Sequence, residues 1–577
     1  MTTIISRAEQ TLSTILQCIT ASALTAFAVF GIHLYFSAAK VNILLVISAA
    51  ACAMHDYEMS LLRQLTPTSP EDLFSQSLLA LGAIIILLRT RQYMESKKYQ
   101  RATVESGPFK RSVKNKPKSV KSLQLRFLPV FWLLRLAFWM SGPYFYQVYA
   151  SKVFNGEPTT QTIISRIFLV GFLSIALFGP VMGRCLDTSG RKKGTLTAAL
   201  LYTVGALSTT CDTLPMIFAG RAIGGLGTSL LSSAPEAWVV SEAMKGKHGD
   251  ASYLGETFGL AFSYDPVVAI ISGQIAGAVA KHRGPTGPFL LLPAFLVGAC
   301  LVAIVFWGEN TATTAKNING KPQAEATVHD GLKIIWQDKK LLMLGAIQSL
   351  FEGSMYIVVS QWPPAMTMAV TKAYGEGASV PFGSVFSCFM CSCMIGSSIF
   401  ASTSKSGIFL ERQKFRMLIL ATACMALATY TMRTSFDLYG LVGAFFVFEA
   451  CVGFYFPMMA NLRGKFLPDS HRSVIMSIYG VPLNAFVVSV FLLMGRLGTS
   501  GAFAVASLAL SLSTICMLYL RRVRRQEAIR NLAKIRVAFR KKQYVHVFTN
   551  AISPQRLQRR ESITLQIFKH FNMDLSA

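Results

Sequence analysis

The chain has 577 residues, of which 52% are hydrophobic and 15% are charged, and its mean hydropathy is +0.45. A soluble globular protein carries roughly 25% charged residues, so this composition argues against a soluble enzyme, a disordered chain and a nucleic-acid-binding module. The formal net charge of +28 has a natural explanation in a membrane protein, because Lys and Arg concentrate in its cytoplasmic loops.

Three apolar stretches come first in the chain, at 12–37, 41–54 and 73–88. A helix needs about 20 mostly apolar residues to cross a bilayer, so the first stretch is long enough and the other two are short. Together they predict two or three extra membrane segments within residues 1–88. The first stretch is too long for a cleavable signal peptide and lacks a strongly basic start.

A basic linker at 89–123 follows these segments. Its residues 89–121 contain eleven Lys and Arg against two Glu, and the tail at 521–577 begins with four Arg in five residues. Because basic residues favour the cytoplasmic side of a membrane, we expect the linker and the tail to be cytoplasmic, with an even number of spans between them.

Twelve apolar stretches lie between the linker and the tail. A polar loop at 309–340, expected to be cytoplasmic, follows the sixth stretch and separates an N-terminal half at 124–308 from a C-terminal half at 341–520. This layout is typical of transporters built from two repeated halves, and it predicts an all-α integral membrane protein. The predicted spans lie near 125–150, 162–183, 193–210, 214–241, 253–281, 287–308, 341–369, 380–402, 415–432, 437–462, 472–496 and 499–520.

The loop between the second and third spans, at 183–193, carries a Gly- and charge-rich motif. Its glycines allow a tight turn where two helices meet closely. Asp187 could cap a helix or pair across the interface between the halves, and Arg191 could bind helix-end carbonyls or a carboxylate. Such a latch would hold one conformation until substrate shifts the balance. The alternative is an ordinary basic turn.

The spacing of this motif resembles the signature loop of the major facilitator superfamily: Gly, three residues, Asp, two residues, then Gly-Arg-Lys. In the fourth span, residues 221–227 are similar to that superfamily's Arg-and-Gly motif. The resemblance implies the twelve-helix major facilitator fold with two six-helix halves, here with two or three extra N-terminal membrane segments. It also implies that Glu236 joins the charge network of the loop. The residues assigned to gating are Gly183, Asp187, Gly190, Arg191, Arg221 and Glu236.

A narrower resemblance, across roughly 124–520, is to the molybdate-anion transporter family. The segment from Gln348 to Glu352 is its most specific mark, and the resemblance implies a small oxyanion, molybdate, as the substrate. The chain departs from the family pattern at Gly480, where members carry Arg, and at Arg135, where a small residue is expected. The anion site could have been relocated, or the substrate changed. The similar segments are 139–144, 220–226, 236–238, 307–310, 344–353, 362–364, 396–398, 455–457 and 481–484.

Four ionisable residues are expected near the membrane midplane, because each lies some ten to twelve residues into its span: Arg135, Asp265, Glu352 and Glu449. A charge at that depth costs at least about 2.5 kcal/mol and usually serves a function. The planar guanidinium of Arg135 suits an oxyanion, although an ion pair with a nearby acid is the alternative. The residues predicted to bind substrate are Arg135, Tyr144, Gln348, Trp362 and Asn484.

The three midplane carboxyl groups are candidates for proton coupling. Burial disfavours the ionised form of a carboxyl group, so one or two of them could take up a proton when the anion binds. Glu352 and Glu449 are the favoured pair, and helix–helix hydrogen bonds are the alternative role. Asp265 precedes Pro266 and could instead satisfy backbone groups at a kink.

These features predict a secondary transporter that moves a small oxyanion by alternating access, with proton coupling as an option. The alternatives are a carrier of the same fold for a sugar, amino acid or organic cation, and a receptor or scaffold that transports nothing. No catalytic constellation, cofactor motif or metal-binding set is found in the sequence, so we expect no enzyme activity, cofactor or metal.

The expected partners are the anionic substrate and the bilayer, with no nucleic acid. The tail at 521–548 can form a basic amphipathic helix on anionic lipid, or it can be a solvated charged run. We expect a multi-pass protein of the cell membrane with a cytoplasmic C-terminus, and the sequence leaves its oligomeric state open.

Overall fold

The computed structural model describes residues 67–105, 117–245, 253–311, 328–404, 407–434, 436–468 and 471–549. The first two predicted N-terminal segments, at 12–37 and 41–54, lie outside these residues. The third corresponds to helix α1, which spans Pro70–Glu105 and therefore extends well into the predicted linker.

The N-terminal half contains seven helices and one small hairpin within the described residues. Its first span is α2 followed by a 3-10 turn at Gly142–Tyr144 and the short helix α3. An antiparallel hairpin of β1 (Val153–Phe154) and β2 (Glu157–Pro158) then leads to the second span. The helices are α2 (Lys118–Ser141), α3 (Phe145–Ala150), α4 (Gln161–Ser189), α5 (Arg191–Leu207), α6 (Leu214–Lys245), α7 (Leu254–Arg283) and α8 (Gly287–Phe306).

The C-terminal half is introduced by a short helix, α9 (Val328–Gln337), which occupies part of the predicted inter-half loop. Six longer helices follow, and each matches one predicted span. They are α10 (Lys339–Tyr374), α11 (Phe382–Thr403), α12 (Gly407–Arg433), α13 (Leu438–Phe466), α14 (Arg472–Leu492) and α15 (Met494–Thr549).

Twelve helices of the described residues are long and apolar enough to cross a membrane. They are α1 and all the predicted core spans except the third, because α5 has only 17 residues. Helix α5 nevertheless packs closely on α6, since a Cβ atom added to Gly224 would lie 3.3 Å from the Cα atom of Gly205. The all-α membrane fold with two six-helix halves is therefore confirmed.

Glycine also sets the closest approach in the C-terminal half, between α11 and α13. A Cβ atom on Gly396 would overlap the carbonyl oxygen of Ala450, and one on Gly453 would overlap that of Cys393. Membrane helices pack through such small residues because lipid provides no hydrophobic drive for their association. The two contacts hold α11 and α13 backbone against backbone.

The halves meet between the middle of the bundle and one of its ends. We call the end that carries the 183–193 loop the loop end, and the opposite end the far end. Hydrogen bonds between the halves join Gly383 to Tyr144, Gln274 to Ser387, Ser387 to Ile270 and Gln161 to Gln361. Ring contacts join Trp139 to Phe386, Tyr144 to Phe382, and Phe172 to both Tyr356 and Phe491. The structure is thus closed at the far end.

Helix α1 packs along α11 of the C-terminal half. The Cys388 thiol donates a hydrogen bond to the Phe74 carbonyl (3.4 Å), and the Gln92 amide donates to the Ser398 carbonyl (2.9 Å). The ion pair between α1 and the N-terminal half joins Glu71 to Lys281 at 3.3 Å, and both side chains are more than half exposed. The extra helix is therefore attached mainly to one half.

The predicted tail helix is present, but it continues the last span. Helix α15 runs to Thr549, and its non-helical backbone is at Gly498 (φ 61°), near its start. Outside the apolar part, Lys340 reaches Glu527 at 3.0 Å and so ties this extension to α10. Contact of the tail with anionic lipid stays a prediction.

Substituting Gly396 with Ala tests the α11–α13 contact. Gly→Ala in a helix normally stabilises by up to about 1 kcal/mol, but here the methyl group would collide with the backbone of Ala450. We expect Gly396→Ala to destabilise by about 1–3 kcal/mol and to lower the Tm of the purified protein in detergent. The matched control is Gly443→Ala on α13, where an added Cβ meets no atom within 4 Å. Equal Tm values for the two variants would contradict this packing.

Candidate functional site

The Arg135 guanidinium in α2 forms a two-pronged ion pair with Asp265 in α7. Its Nε donates to Oδ1 at 2.7 Å and its Nη2 donates to Oδ2 at 2.6 Å. The Trp139 indole also donates to Asp265 Oδ1 (3.0 Å), and its ring lies 4.6 Å from the guanidinium carbon. Arg135 is therefore neutralised in this state, which is the alternative that the sequence left open. Asp265 binds these side chains and is not turned back to its own backbone.

A second acid, Glu236, lies near this pair, whereas Glu449 forms no hydrogen bond or ion pair with it in the described part of the chain. Glu236 in α6 interacts electrostatically with Arg135. Glu449 in α13 is 8% exposed and forms no hydrogen bond or ion pair with another described residue. The Cys393 thiol on α11 is within electrostatic range of both Glu449 and Asp265. Among the described residues, Arg135 therefore has the two acids Asp265 and Glu236 near it.

A second polar group lies inside the C-terminal half, between α10 and α13. The Tyr455 hydroxyl donates to Glu352 Oε1 at 3.1 Å, and the Gln348 side chain lies beside this carboxylate. Arg463 Nη1 donates to Gln348 Oε1 at 3.3 Å and lies 4.0 Å from Glu352 Oε1. We call Gln348, Glu352, Tyr455 and Arg463 the Arg463 cluster.

Sequence reasoning missed Arg463, because it counted this residue with the basic loop after the tenth span. A usable signal was present: Arg463 follows Tyr455 by eight residues, or about two helical turns, so the two share one helix face. Glu352 and Glu449, the two favoured candidates for proton coupling, have different surroundings. Glu449 lies one turn from Gly453, which packs against α11, whereas Tyr455 of the same helix contacts Glu352 on α10.

Two of the predicted substrate ligands are packing groups in this state, since both side chains are buried. Tyr144 contributes to closure of the far end, because its hydroxyl accepts a hydrogen bond from the backbone N–H of Gly383 in the other half at 3.3 Å. The Trp362 ring packs inside the C-terminal half, against Phe382 and Phe389 at 5.7 and 5.1 Å between centroids.

Asn484 and Gly480 lie on α14. Asn484 is partly buried, and a Cβ atom added to Gly480 would meet no atom within 4 Å. The position where the resembling family carries Arg therefore borders open space here. The arginine of the Arg463 cluster comes from a different helix.

The signature loop is held by the end of α8. The Glu309 carboxylate accepts hydrogen bonds from the backbone N–H groups of Lys192 (2.9 Å) and Lys193 (3.1 Å), at the start of α5. An acid at this place satisfies unpaired helix N–H groups and complements the helix dipole. Gly190 has φ 108°, and a Cβ atom there would lie 2.5 Å from the Glu309 side chain. Position 190 therefore favours glycine for two reasons, its positive φ angle and the lack of space for a Cβ atom.

Two further contacts of the described loop residues lie within the N-terminal half. The Arg191 N–H donates to the Asn310 carbonyl at 2.9 Å, and Lys192 Nζ donates to the Trp307 carbonyl at 2.8 Å. Gly183 and Asp187 lie in the last turns of α4, and the side chain of Asp187 is outside the described residues. The predicted bond of Asp187 across the interface stays a prediction.

The acid of α6 that is close to the loop end is Glu242, six residues after Glu236. Its carboxylate lies 3.7 Å from Arg126 and 3.5 Å from the Asn310 amide. Beside it, the Trp238 and Trp307 rings stack at 4.0 Å and the Trp238 indole donates to the Gly308 carbonyl. Glu236 is instead near Arg135, so its predicted gating role has no contact with the loop in this state.

Arg221 lies towards the far end of α6. Its guanidinium carbon is 4.1 Å from the Phe145 ring centre and 5.4 Å from that of Phe168. It also borders a small cavity next to Ser141 and Tyr202. The arrangement favours a cation held by aromatic faces.

A family model matches residues 102–455, which are 354 of the 577 residues. This is the major facilitator family MFS_5, described as sugar transporters with 12 transmembrane segments. The chain belongs to this family. It is therefore an integral multi-pass membrane protein with the family and fold of a transporter.

Four molybdate-anion transporters are among the similar curated proteins. That of Takifugu rubripes is 27% identical over 408 residues, covering 66% of this chain and 82% of the relative. That of Danio rerio is 28% identical over 405 residues, covering 66% and 81%. An alpha-ketoglutarate permease of Escherichia coli is 23% identical over 366 residues, covering 59% and 79%.

Solved structures show the same fold. The POT family transporter PepTSo matches with a TM-score of 0.56 at 10% identity, covering 71% of this chain and 99% of that structure. A D-xylose-proton symporter matches with a TM-score of 0.52 at 12% identity, covering 69% and 97%. The major facilitator fold predicted from the signature loop is confirmed.

A double-mutant cycle tests the Arg135–Asp265 pair. Removing one partner of a buried ion pair leaves an uncompensated charge and costs about 3–5 kcal/mol. We expect Arg135→Gln and Asp265→Asn each to lower the Tm in detergent, and the double variant to lose less than the sum of the two. Additive losses would show that the two side chains do not interact in solution.

Proposed function

We propose that this chain is a secondary active transporter that moves a small oxyanion, with molybdate as the first candidate. The observation that carries the proposal is the pair of arginines, Arg135 and Arg463, which two facing halves of one bundle hold beside acids. The similarity to proteins named molybdate-anion transporters supports the same choice. Arg is the side chain best suited to planar contact with an anion's oxygen atoms.

Alternating access explains the asymmetry between the two ends. The contacts between the halves extend from Phe172 and Tyr356 in the middle to Gln161 and Gln361 near the far end. A rocking movement that breaks them would open the far end. In the present state, substrate would enter or leave at the loop end. We place that end in the cytoplasm of a cell-membrane transporter, since the basic linker and tail adjoin it.

The rigid contacts of the signature loop support a modified gating role. Glu309, Asn310 and Gly190 fix the loop to the end of α8. The loop would then move as one body with the N-terminal half. Asp187 remains the residue through which it would meet the other half.

Proton coupling is the proposed driving force, with Glu352 as the proton carrier. Tyr356 on its own helix and Tyr455 and Arg463 on α13 are the titratable groups that interact with it. Protonation of Glu352 would remove the negative charge beside Arg463 and leave the cation free for an anion. Glu449 is the second candidate, whereas Asp265 is engaged with Arg135.

A neutral sugar is the second candidate substrate, because the matching family is described as sugar transporters. A sugar would form hydrogen bonds with the neutral side chains of Gln348 and Asn484. Arg135 and Arg463 would then stay paired with Asp265 and Glu352.

Uptake by the purified chain in liposomes decides between these substrates. We expect accumulation of labelled molybdate, competed by sulfate and not by xylose, because the site discriminates by charge and tetrahedral oxygen geometry. Uptake of xylose alone would overturn the oxyanion proposal. Flux of neither solute would favour a receptor or scaffold.

The Glu352→Gln variant tests proton coupling. We expect an outside-acid gradient to stimulate molybdate uptake by the unmodified chain, since a proton then accompanies the anion inward. In Glu352→Gln this stimulation should disappear while counterflow exchange persists, because a Gln cannot release a proton. The control is Glu157→Gln in the exposed hairpin. Stimulation of equal size in both variants would exclude Glu352 as the carrier.

A further inference from the structure

Building on the proposed oxyanion function, we propose that Arg463 is the cation that binds the substrate, and that Glu352 occupies the substrate's place while the site is empty. The carboxylate of Glu352 would act as an internal substitute for the anion. Gln348 and Tyr455 would complete the binding site as neutral donors.

The first step is the state of the two arginines. Arg135 has its Nε and Nη2 edge bonded to both oxygens of Asp265, at 2.7 and 2.6 Å. A two-pronged pair of this kind uses the fork that would otherwise bind an oxyanion. Trp139 stacks on the same guanidinium at 4.6 Å. Binding substrate at Arg135 would require this pair to separate.

Arg463 is much less engaged. Among the residues that the structure describes, its guanidinium bonds the neutral amide of Gln348 at 3.3 Å and has Glu352 at the 4.0 Å limit of an ion pair. A guanidinium has five N–H donors, so most of its donor capacity remains. The Arg463 side chain is 22% exposed, and that of Glu352 is 15% exposed. The cation is therefore sheltered yet reachable.

The second step is the surroundings of the Glu352 carboxylate. It accepts a hydrogen bond from the Tyr455 hydroxyl, and it has the Gln348 amide and Arg463 beside it. One cation and two neutral donors around two oxygen atoms are what a small oxyanion needs in a low-dielectric site. The Tyr455 ring is itself fixed by stacking on Phe351 at 3.9 Å. The donors are thus positioned before substrate arrives.

Competition follows from this geometry. A molybdate or sulfate ion that took the donors of Glu352 would place two anions side by side, which the low-dielectric interior disfavours. Substrate binding would therefore displace the carboxylate or require it to be neutral. This competition would explain why an acid lies next to an anion site. It predicts that removal of the Arg463 charge weakens substrate binding and that removal of the Glu352 charge strengthens it.

The test is equilibrium binding of labelled molybdate, and separately of labelled sulfate, to the purified full chain in detergent at one pH. We expect Arg463→Gln to weaken binding about tenfold or more, the size of a lost charged hydrogen bond. Arg463→Lys should be intermediate, because Lys keeps the charge but lacks the fork. Glu352→Gln should bind several-fold more tightly than the unmodified chain. The matched control is Arg433→Gln at the exposed end of α12, which should bind normally.

The outcomes separate this assignment from the proposed function. If the unmodified chain binds molybdate and Arg463→Gln binds it equally well, the assignment is wrong and the oxyanion function stands. If the unmodified chain binds neither oxyanion, the proposed function fails, and the assignment fails with it. Should Arg463→Gln not fold, Glu352→Gln decides, because tighter binding supports the assignment and weaker or unchanged binding overturns it.

Discussion

The high cost of an unpaired charge inside a bilayer is the constraint on which the rest of this structure depends. Arg135 meets it with a two-pronged bond to Asp265, and Arg463 meets it only loosely, with Gln348 and a more distant Glu352. The helices that carry these side chains are fixed by the pairing as much as by their apolar faces. A tight pair stabilises one arrangement, whereas a loose pair can be exchanged for a ligand.

The same constraint applies at the loop end. There the partners of the Glu309 carboxylate among the described residues are backbone N–H groups and not the side chain of an arginine. Helix α5 starts with unpaired N–H groups, and Glu309 satisfies two of them. The stacked rings of Trp238 and Trp307 shield the junction. These contacts of the signature loop therefore join the start of α5 to the end of α8 within one half.

The sequence was sufficient for the fold but only partly for the site. Hydropathy located the core spans, because a bilayer imposes a similar length on every crossing helix. The predicted third span at 193–210 corresponds to α5, which has only 17 residues and is the shortest of the twelve core helices. Arg463 was missed because its Cα lies among the basic residues after a span while its side chain extends back towards Gln348. The direction of a long side chain is decided by its partner on another helix. Similarly, Glu352 and Glu449 were both expected near the membrane midplane. On α13 it is Tyr455 that contacts Glu352, and the expected depth of a residue does not show which neighbouring helix its side chain faces.

The attachment of α1 has a mechanical consequence. An exposed ion pair such as Glu71–Lys281 contributes only about 0–1 kcal/mol, whereas α1 is bonded to α11 through Gln92 and Cys388. When the halves move relative to each other, α1 would move with the C-terminal half. The weak Glu71–Lys281 ion pair to α7 would break and reform in each transport cycle. Among the residues that the structure describes, the two lateral clefts of the bundle are then unequal. Helix α1 flanks the cleft between α7 and α11, whereas no described helix of membrane-spanning length from outside the two halves flanks the one between α4 and α14.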